Sequence, residues 1–305
     1  MAEIYSDNVD DSESTPGDKA CLWTSILENV SKSSTHMPES KNVILLGTEN
    51  SGKNSLIEKL IQRKKREFAL PQLKQKNALS FNHMPAVDEA TEDLLAQMAF
   101  WNVSGHGDLK NAFQFILRSD NLSKSLVMIL VDMSEPWTIL ESLEKWTALI
   151  SSFIDSLGID PRKLKDLEEK VVHDYQTYSD PVDSNLRNVS PGGQQIGSSS
   201  PSGRVLLPLG DNVLTNNIGI PLIVLVTKTD VMTDLEKDFD YKDEHFDFIQ
   251  QKIRNFCLRH GAALFYTSVK EDKNISLLYQ YIVHKMYRLP FPYTASVVDR
   301  DSIFM

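Results

Sequence analysis

Residues 43–56 read "VILLGTENSGKNSL". Four apolar residues run into Gly47, and from there the chain spells G-x-x-x-x-G-K through Gly52 and Lys53. The apolar run predicts a short buried strand. The following "GKNSLIEKLIQRKKRE" predicts a helix whose basic end suits the negative end of the helix dipole. Strand, glycine-rich turn and helix in that order are the context in which this spacing builds a phosphate-binding loop. Gly47 and Gly52 let the backbone curl until its N–H groups face phosphate oxygens, and the helix start adds its positive end. Lys53 would reach the terminal phosphates. The candidate phosphate residues are Gly47, Thr48, Glu49, Asn50, Ser51, Gly52, Lys53, Asn54 and Ser55. One of them is off-pattern: Asn54 stands where such loops carry Ser or Thr.

Downstream, strands and helices alternate. "MAFWNVS" (98–104) and "SLVMILVDMS" (125–134) predict strands. "PWTILESLEKWTALISSFIDSLG" (136–158) predicts a long helix with Pro136 in its first turn and Gly158 closing it. "IPLIVLVTKTD" contains a strand, "DEHFDFIQQKIRNFCLRHG" is a helix ending at Gly261, "AALFYTSVK" is a strand and "NISLLYQYIVHKMYRL" a helix. Near-continuous apolar strands alternating with helices predict an α/β fold, a mainly parallel central sheet with helices on both faces. An insertion at about 159–215 lies between the fourth and fifth core strands. Its residues 159–178 predict an exposed extra helix, and the Gly/Ser/Pro-rich 179–203 a mobile loop. Residues 1–19 read as a disordered acidic tail. Residues 20–41 read as an N-terminal helix and linker, the helix (20–31) placing Leu22, Trp23, Ile26, Leu27 and Val30 on one face.

Two further motifs sit at predicted strand ends. Thr227-Lys228-Thr229-Asp230 resembles the N/T-K-x-D element of Ras-like GTPases, in which the aspartate accepts hydrogen bonds from guanine and the lysine stem packs on the base. "TSVK" (267–270), with Ser268, Val269 and Lys270, resembles the S-A-K loop of the same fold. Three motifs in order predict a Ras-like P-loop NTPase domain over 42–288. The bound nucleotide would be GDP or GTP rather than ATP, because Asp230 complements N–H donors that adenine lacks. The metal side is damaged. The D-x-x-G element is replaced by Asn102-Val103-Ser104-Gly105, so an aspartate is lost as well as the hydroxyl at Asn54. Ser55 cannot substitute, since one residue on it points about 100° away around the helix. Without well-held Mg²⁺ the charge of phosphoryl transfer loses its main counterweight. His106 sits where some GTPases orient water, and 64–96 offers only Thr91 as a switch threonine. No catalytic residue and no metal site are therefore assigned.

The chain of 305 residues is 41% hydrophobic and 24% charged, with a net charge of −10. That charge argues against nucleic acid and against adhesion to acidic membranes. Two distant cysteines form no disulfide framework, and no stretch approaches the ~20 apolar residues of a membrane span. A cytoplasmic protein is expected.

Several longer stretches resemble a family, the light intermediate chains of cytoplasmic dynein: "LWTSILENV", "KNVILLG", "VDMSEPWTILESLEKW", "RVLLPLGDNVLTNNIGIP", "DYKDEHFDFIQQKIRNFCLRHGAALFYTSVKEDKN" and "YQYIVHKMYRLPF". The resemblance covers about residues 20–305 and implies a non-catalytic accessory subunit of a microtubule motor, with a pseudo-GTPase domain seated on the dynein heavy-chain tail. In such chains a C-terminal region binds cargo adaptors; "DRDSIFM" ends before it, so that region is expected to lie outside these residues. A slow GTPase switch and an ATP-binding module are the alternatives. Residues 289–305 form an apolar extension in which Pro290 and Pro292 block helix. With 20–31 it is expected to contact the heavy chain, through Leu22, Trp23, Ile26 and Phe304.

Overall fold

The computed structural model describes residues 39–64, 79–88, 94–105, 109–178 and 208–305. The expectations for the acidic tail, for Leu22, Trp23 and Ile26, for Thr91 and His106, and for the loop 179–203 lie outside these residues.

Strand β1 (Lys41–Gly47) carries the opening motif, and α1 (Lys53–Lys64) follows it. Then come β2 (Leu79–Val87), β3 (Leu94–Val103), α2 (Leu109–Ile116), β4 (Ser125–Asp132), α3 (Ile139–Ser156) and α4 (Pro161–Thr177). The described chain closes with β5 (Leu222–Thr227), α5 (Met232–Phe239), α6 (Asp243–His260), β6 (Ala263–Tyr266) and α7 (Ile275–Tyr287). The sheet order is β2-β3-β1-β4-β5-β6, parallel throughout except that β2 runs antiparallel to β3. That is the order of a Ras-like P-loop domain.

Alternation along the central strands divides the core. Ile44, Leu46, Val127, Ile129, Val224 and Val226 face one side and pack with Phe113, Trp146, Ile253 and Phe256. Val43, Leu45, Met128, Leu130, Ile223 and Leu225 face the other and pack with Leu56, Ile57, Leu278 and Ile282. Successive strand residues point to opposite faces, so a strand covered on both must be apolar throughout. The helix α4 buries none of its residues, as its charged sequence predicts; Asp160 caps it by accepting from the Arg162 N–H at 3.0 Å. No helix among the described residues is long and apolar enough to cross a membrane.

Two features depart from the sequence reading. The strand β2 was not predicted. Its sequence "LSFNHMPAV" mixes Asn82, His83 and Pro85 into the apolar pattern, which an edge strand with one half-exposed face tolerates. The end of the C-terminal extension is not spare apolar material. Leu264 and Met305 exchange backbone hydrogen bonds at 2.8 and 2.9 Å, and the Tyr266 N–H donates to the Ile303 carbonyl at 2.8 Å. Residues 303–305 thus run antiparallel along β6 and cover its open edge, which would otherwise present unpaired backbone groups. Phe304, expected at a partner interface, is 2% exposed and stacks within the chain's own core on Phe265, with Tyr281 and Phe291 beside it. It is unavailable to a partner.

Candidate functional site

The three motifs meet at the carboxyl ends of the parallel strands, where open α/β sheets form ligand crevices. Gly47 ends β1 against β4: a Cβ there would lie 2.5 Å from the Leu130 carbonyl oxygen and 2.7 Å from Ser51 Oγ. Gly52 has φ +82°, a left-handed value that a side chain would strain. Between them Thr48 is partly covered and Glu49 and Asn50 are exposed, while Ser51 is fully buried and its hydroxyl donates to the Thr48 carbonyl at 2.9 Å. The Lys53 ammonium donates to the carbonyls of Gly47 (2.8 Å) and Thr48 (2.6 Å), which holds it in the mouth of the loop. Burial lowers its pKa to about 8, partly opposed by the nearby Glu49 carboxylate.

The second motif is joined to the first. Thr227 Oγ1 is buried 2.9 Å from the Ser51 carbonyl and 3.0 Å from that of Val131, so the hydroxyl links β5 to the phosphate loop and to β4. Lys228 takes a left-handed conformation (φ +58°), and its ammonium pairs with the Asp132 carboxylate. Asp132, at the carboxyl end of β4, escaped the sequence reading; its place at the end of an apolar strand was the signal available. Asp230 is oriented by the third motif: the Ser268 hydroxyl donates to its Oδ1 at 2.7 Å, and Lys270 Nζ lies 3.7 Å from Oδ2. The Glu271 N–H donates in turn to Ser268 Oγ at 3.1 Å. Val269 packs partly buried against the core, and the Lys270 side chain is otherwise exposed. A carboxylate held edge-on beside a curled loop and a buried ammonium could hold the base and phosphates of a guanine nucleotide.

The metal side is built differently. The Asn102 amide donates to the Asn54 carbonyl oxygen. Exchanging both amide orientations leaves the same bond with donor and acceptor reversed. The two residues at the metal-holding positions are therefore bonded to each other. Asn102 is buried, and its remaining amide oxygen has no partner among the described residues. Mg²⁺ favours anionic oxygen ligands in octahedral geometry. Two neutral amides bonded to each other do not fit that ion, and no cluster of three acidic, His or Cys side chains suited to a metal occurs among the described residues. Ser55 is exposed one residue further on.

The profile of the dynein light intermediate chain family matches residues 17–305. The human cytoplasmic dynein 1 light intermediate chain 1 is 41% identical over 305 residues, covering 99% of this chain and 56% of its own length. The Dictyostelium discoideum counterpart is 31% identical and covers 93% of this chain and 61% of its own. A crystal structure of the conserved domain of a dynein light intermediate chain superposes with a TM-score of 0.64 at 26% identity, covering 88% of this chain and 81% of that one. The chain spans little more than half the length of the curated relatives it matches. Continuous similarity across both halves of the sheet, from the phosphate loop to the edge-covering extension, places this chain in the dynein light intermediate chain family.

Proposed function

We propose that the domain is a non-catalytic accessory subunit of the cytoplasmic dynein motor complex. It works in the cytoplasm on microtubules through that complex, holding the dynein heavy-chain tail and helping connect the motor to cargo adaptors. Family membership and the names of the relatives support the dynein assignment. The adaptor connection would run through the part of the longer relatives that these residues do not match.

The observation that carries the non-catalytic reading is the hydrogen bond between Asn102 and Asn54. It replaces an anionic metal cradle with a neutral pair of amides bonded to each other, and so removes the charge that phosphoryl transfer needs. The same domain keeps Asp230 held by Ser268 and Lys53 seated in the phosphate loop, which supports a retained nucleotide pocket. A guanine nucleotide, GDP or GTP, is thus read as a bound structural ligand, taken without Mg²⁺ and in preference to ATP. Such a ligand would stiffen the carboxyl end of the sheet rather than switch it.

Co-expression with a dynein heavy-chain tail fragment tests the subunit reading, with single-turnover GTP hydrolysis run on the same preparation. The expected result is a stable co-eluting complex and negligible turnover. Failure to co-elute, together with turnover at the rate of ordinary small GTPases that Lys53→Ala abolishes, would establish an enzyme instead.

A further inference from the structure

Away from the nucleotide crevice, one groove is walled by the start of α3, the end of α5 and the first turns of α6. Its volume is about 520 Å³, and its lining includes Trp137, Leu140, Phe239, Tyr241, Phe248 and Ile249. Three of these are large aromatics left open to solvent: Trp137 is 66% exposed, Phe239 66% and Phe248 58%. Single exposed apolar residues are ordinary, but three large aromatics on one groove are the pattern of an interaction site. Aromatics are also the residues that anchor interfaces.

The lining itself carries His245 and Lys252, and carboxylates stand in the chain segments beside it. Residues 234–252 carry seven carboxylates against three lysines. Arg300 occupies two of the carboxylates, Glu236 and Asp243. Asp238, Asp240, Glu244 and Asp247 have no ion pair among the described residues. Asp238 and Asp240 flank Phe239 in the chain, and Glu244 sits one turn before Phe248 on the same helical face. A cation already rests on one of the aromatics: Lys252 Nζ lies 5.1 Å from the Phe248 ring centroid. Helical side chains make up most of the walls, and the β6 edge of the sheet is covered by residues 303–305. An extended segment would find no backbone ladder here, so an occupant must satisfy its own backbone.

We infer that this groove is a docking site for an amphipathic helix of a partner protein, one that inserts large apolar side chains between Trp137, Phe239 and Phe248 and places Lys or Arg against the acidic rim. The inference is independent of nucleotide binding, since the groove shares no residue with the crevice.

The test uses the full chain and a fluorescein-labelled Leu/Lys peptide patterned as an amphipathic helix. A scrambled peptide of the same composition, with no apolar face, controls for attraction to an acidic protein. Fluorescence polarisation should show saturable binding of the patterned peptide and about tenfold or more weaker binding of the scramble. Phe248→Ser and Trp137→Ser should each weaken binding about tenfold or more with an unchanged melting temperature, because both side chains are exposed. Glu244→Lys, which opens no cavity, should also weaken it, as added salt weakens the wild type. Equal binding of the two peptides, or variants that bind as the wild type does, overturns the proposal. So does binding that appears only after residues 1–38 are deleted, which would make this chain's own N-terminal segment the occupant. A concentration-dependent dimer in analytical ultracentrifugation that Phe248→Ser dissolves would likewise replace the partner with a second copy.

Discussion

Replacing Asn102 by aspartate changes the electrostatics of the cradle without changing its shape. Asn102 is 8% exposed, its amide donates to Asn54, and its own carbonyl oxygen has no partner among the described residues. The variant removes the donor and adds a charge. Loss of the neutral hydrogen bond costs about 1 kcal/mol, and a buried carboxylate short of donors costs about 1–3 kcal/mol more. Asn54 can turn its amide to donate to the new carboxylate and recover part of this, so a net loss of about 1–3 kcal/mol is expected. At roughly 2–4 °C per kcal/mol for a domain of this size, the melting temperature should fall by roughly 2–12 °C at neutral pH. The pH dependence has a definite sign. Burial raises the folded-state pKa of the new carboxyl, so the penalty is full above that value, fades as pH falls from it to the unfolded value of about 3.9, and is gone below that. Adding Asn54→Thr then supplies a hydroxyl beside the carboxylate. In that double variant Mg²⁺ should raise the melting temperature of the GDP-loaded protein, whereas in the wild type it should have no effect. Scanning fluorimetry with GDP, with Mg²⁺ or with a chelator, at neutral and mildly acidic pH, reads all of these. A GDP-loaded wild type that melts lower in chelator, or an N102D protein as stable as the wild type at pH 7, refutes the neutral, closed cradle.

Phe304→Ala should cost about 3–5 kcal/mol in urea unfolding of the isolated domain, because it empties a core site and loosens the strand that covers β6; a loss under 1 kcal/mol would return Phe304 to the surface. Asp230→Asn should weaken GDP binding by about 1.5–3 kcal/mol in competition assays and leave ATP binding as poor as before; equal affinity of the wild type for ATP and GDP would refute the base assignment. Thr227→Val should destabilise the domain by about 1–3 kcal/mol with or without nucleotide, since its hydroxyl serves the Ser51 and Val131 carbonyls; a loss seen only with GDP present would contradict that role. Burial lowers the Lys53 pKa to about 8, so the unfolded chain holds this proton more tightly and stability should rise with pH from about 8 to about 10.5, by about 3 kcal/mol at most; a urea series over that range should show the rise in wild type and lose it in Lys53→Met.

The fold was legible where burial imposes a pattern. Strands β1, β4 and β5 are covered on both faces and read as unbroken apolar runs, and the helix stops at Gly158 and Gly261 fell where the glycines stand. Legibility failed at both edges of the sheet. The strand β2 exposes Phe81 and His83 on one face and so carries no continuous apolar signal. The pairing of residues 303–305 with β6 is a long-range backbone interaction; in sequence, "SIFM" is only a short apolar tail, and a tail of that kind serves equally as core or as interface. The site divides the same way. Each motif was visible alone, but the bond from Asn102 to Asn54 and the pair of Lys228 with Asp132 join residues 48 and 96 positions apart. Spacing does not reveal such joins.

Those joins change what the surviving motifs mean. A phosphate loop, a T-K-x-D element and a T-S-V-K turn are usually read as contacts to a nucleotide. In this domain they also contact each other: Thr227 reaches the backbone of the loop, Ser268 orients Asp230, and Lys53 binds the loop's own carbonyls. Every one of these groups is buried or nearly so, and a buried polar group that loses its partner costs more than the hydrogen bond it made. Selection for a stable sheet can therefore hold Thr227, Ser268 and Lys53 in place whether or not phosphate chemistry continues. The metal ligands have no such second role. A buried carboxylate at position 102 would be a liability wherever no Mg²⁺ sits beside it, and the amide there bonds Asn54 instead. The pattern seen here, with the base and phosphate motifs kept and the metal pair converted to neutral amides, is the one expected when a G domain is retained for its architecture.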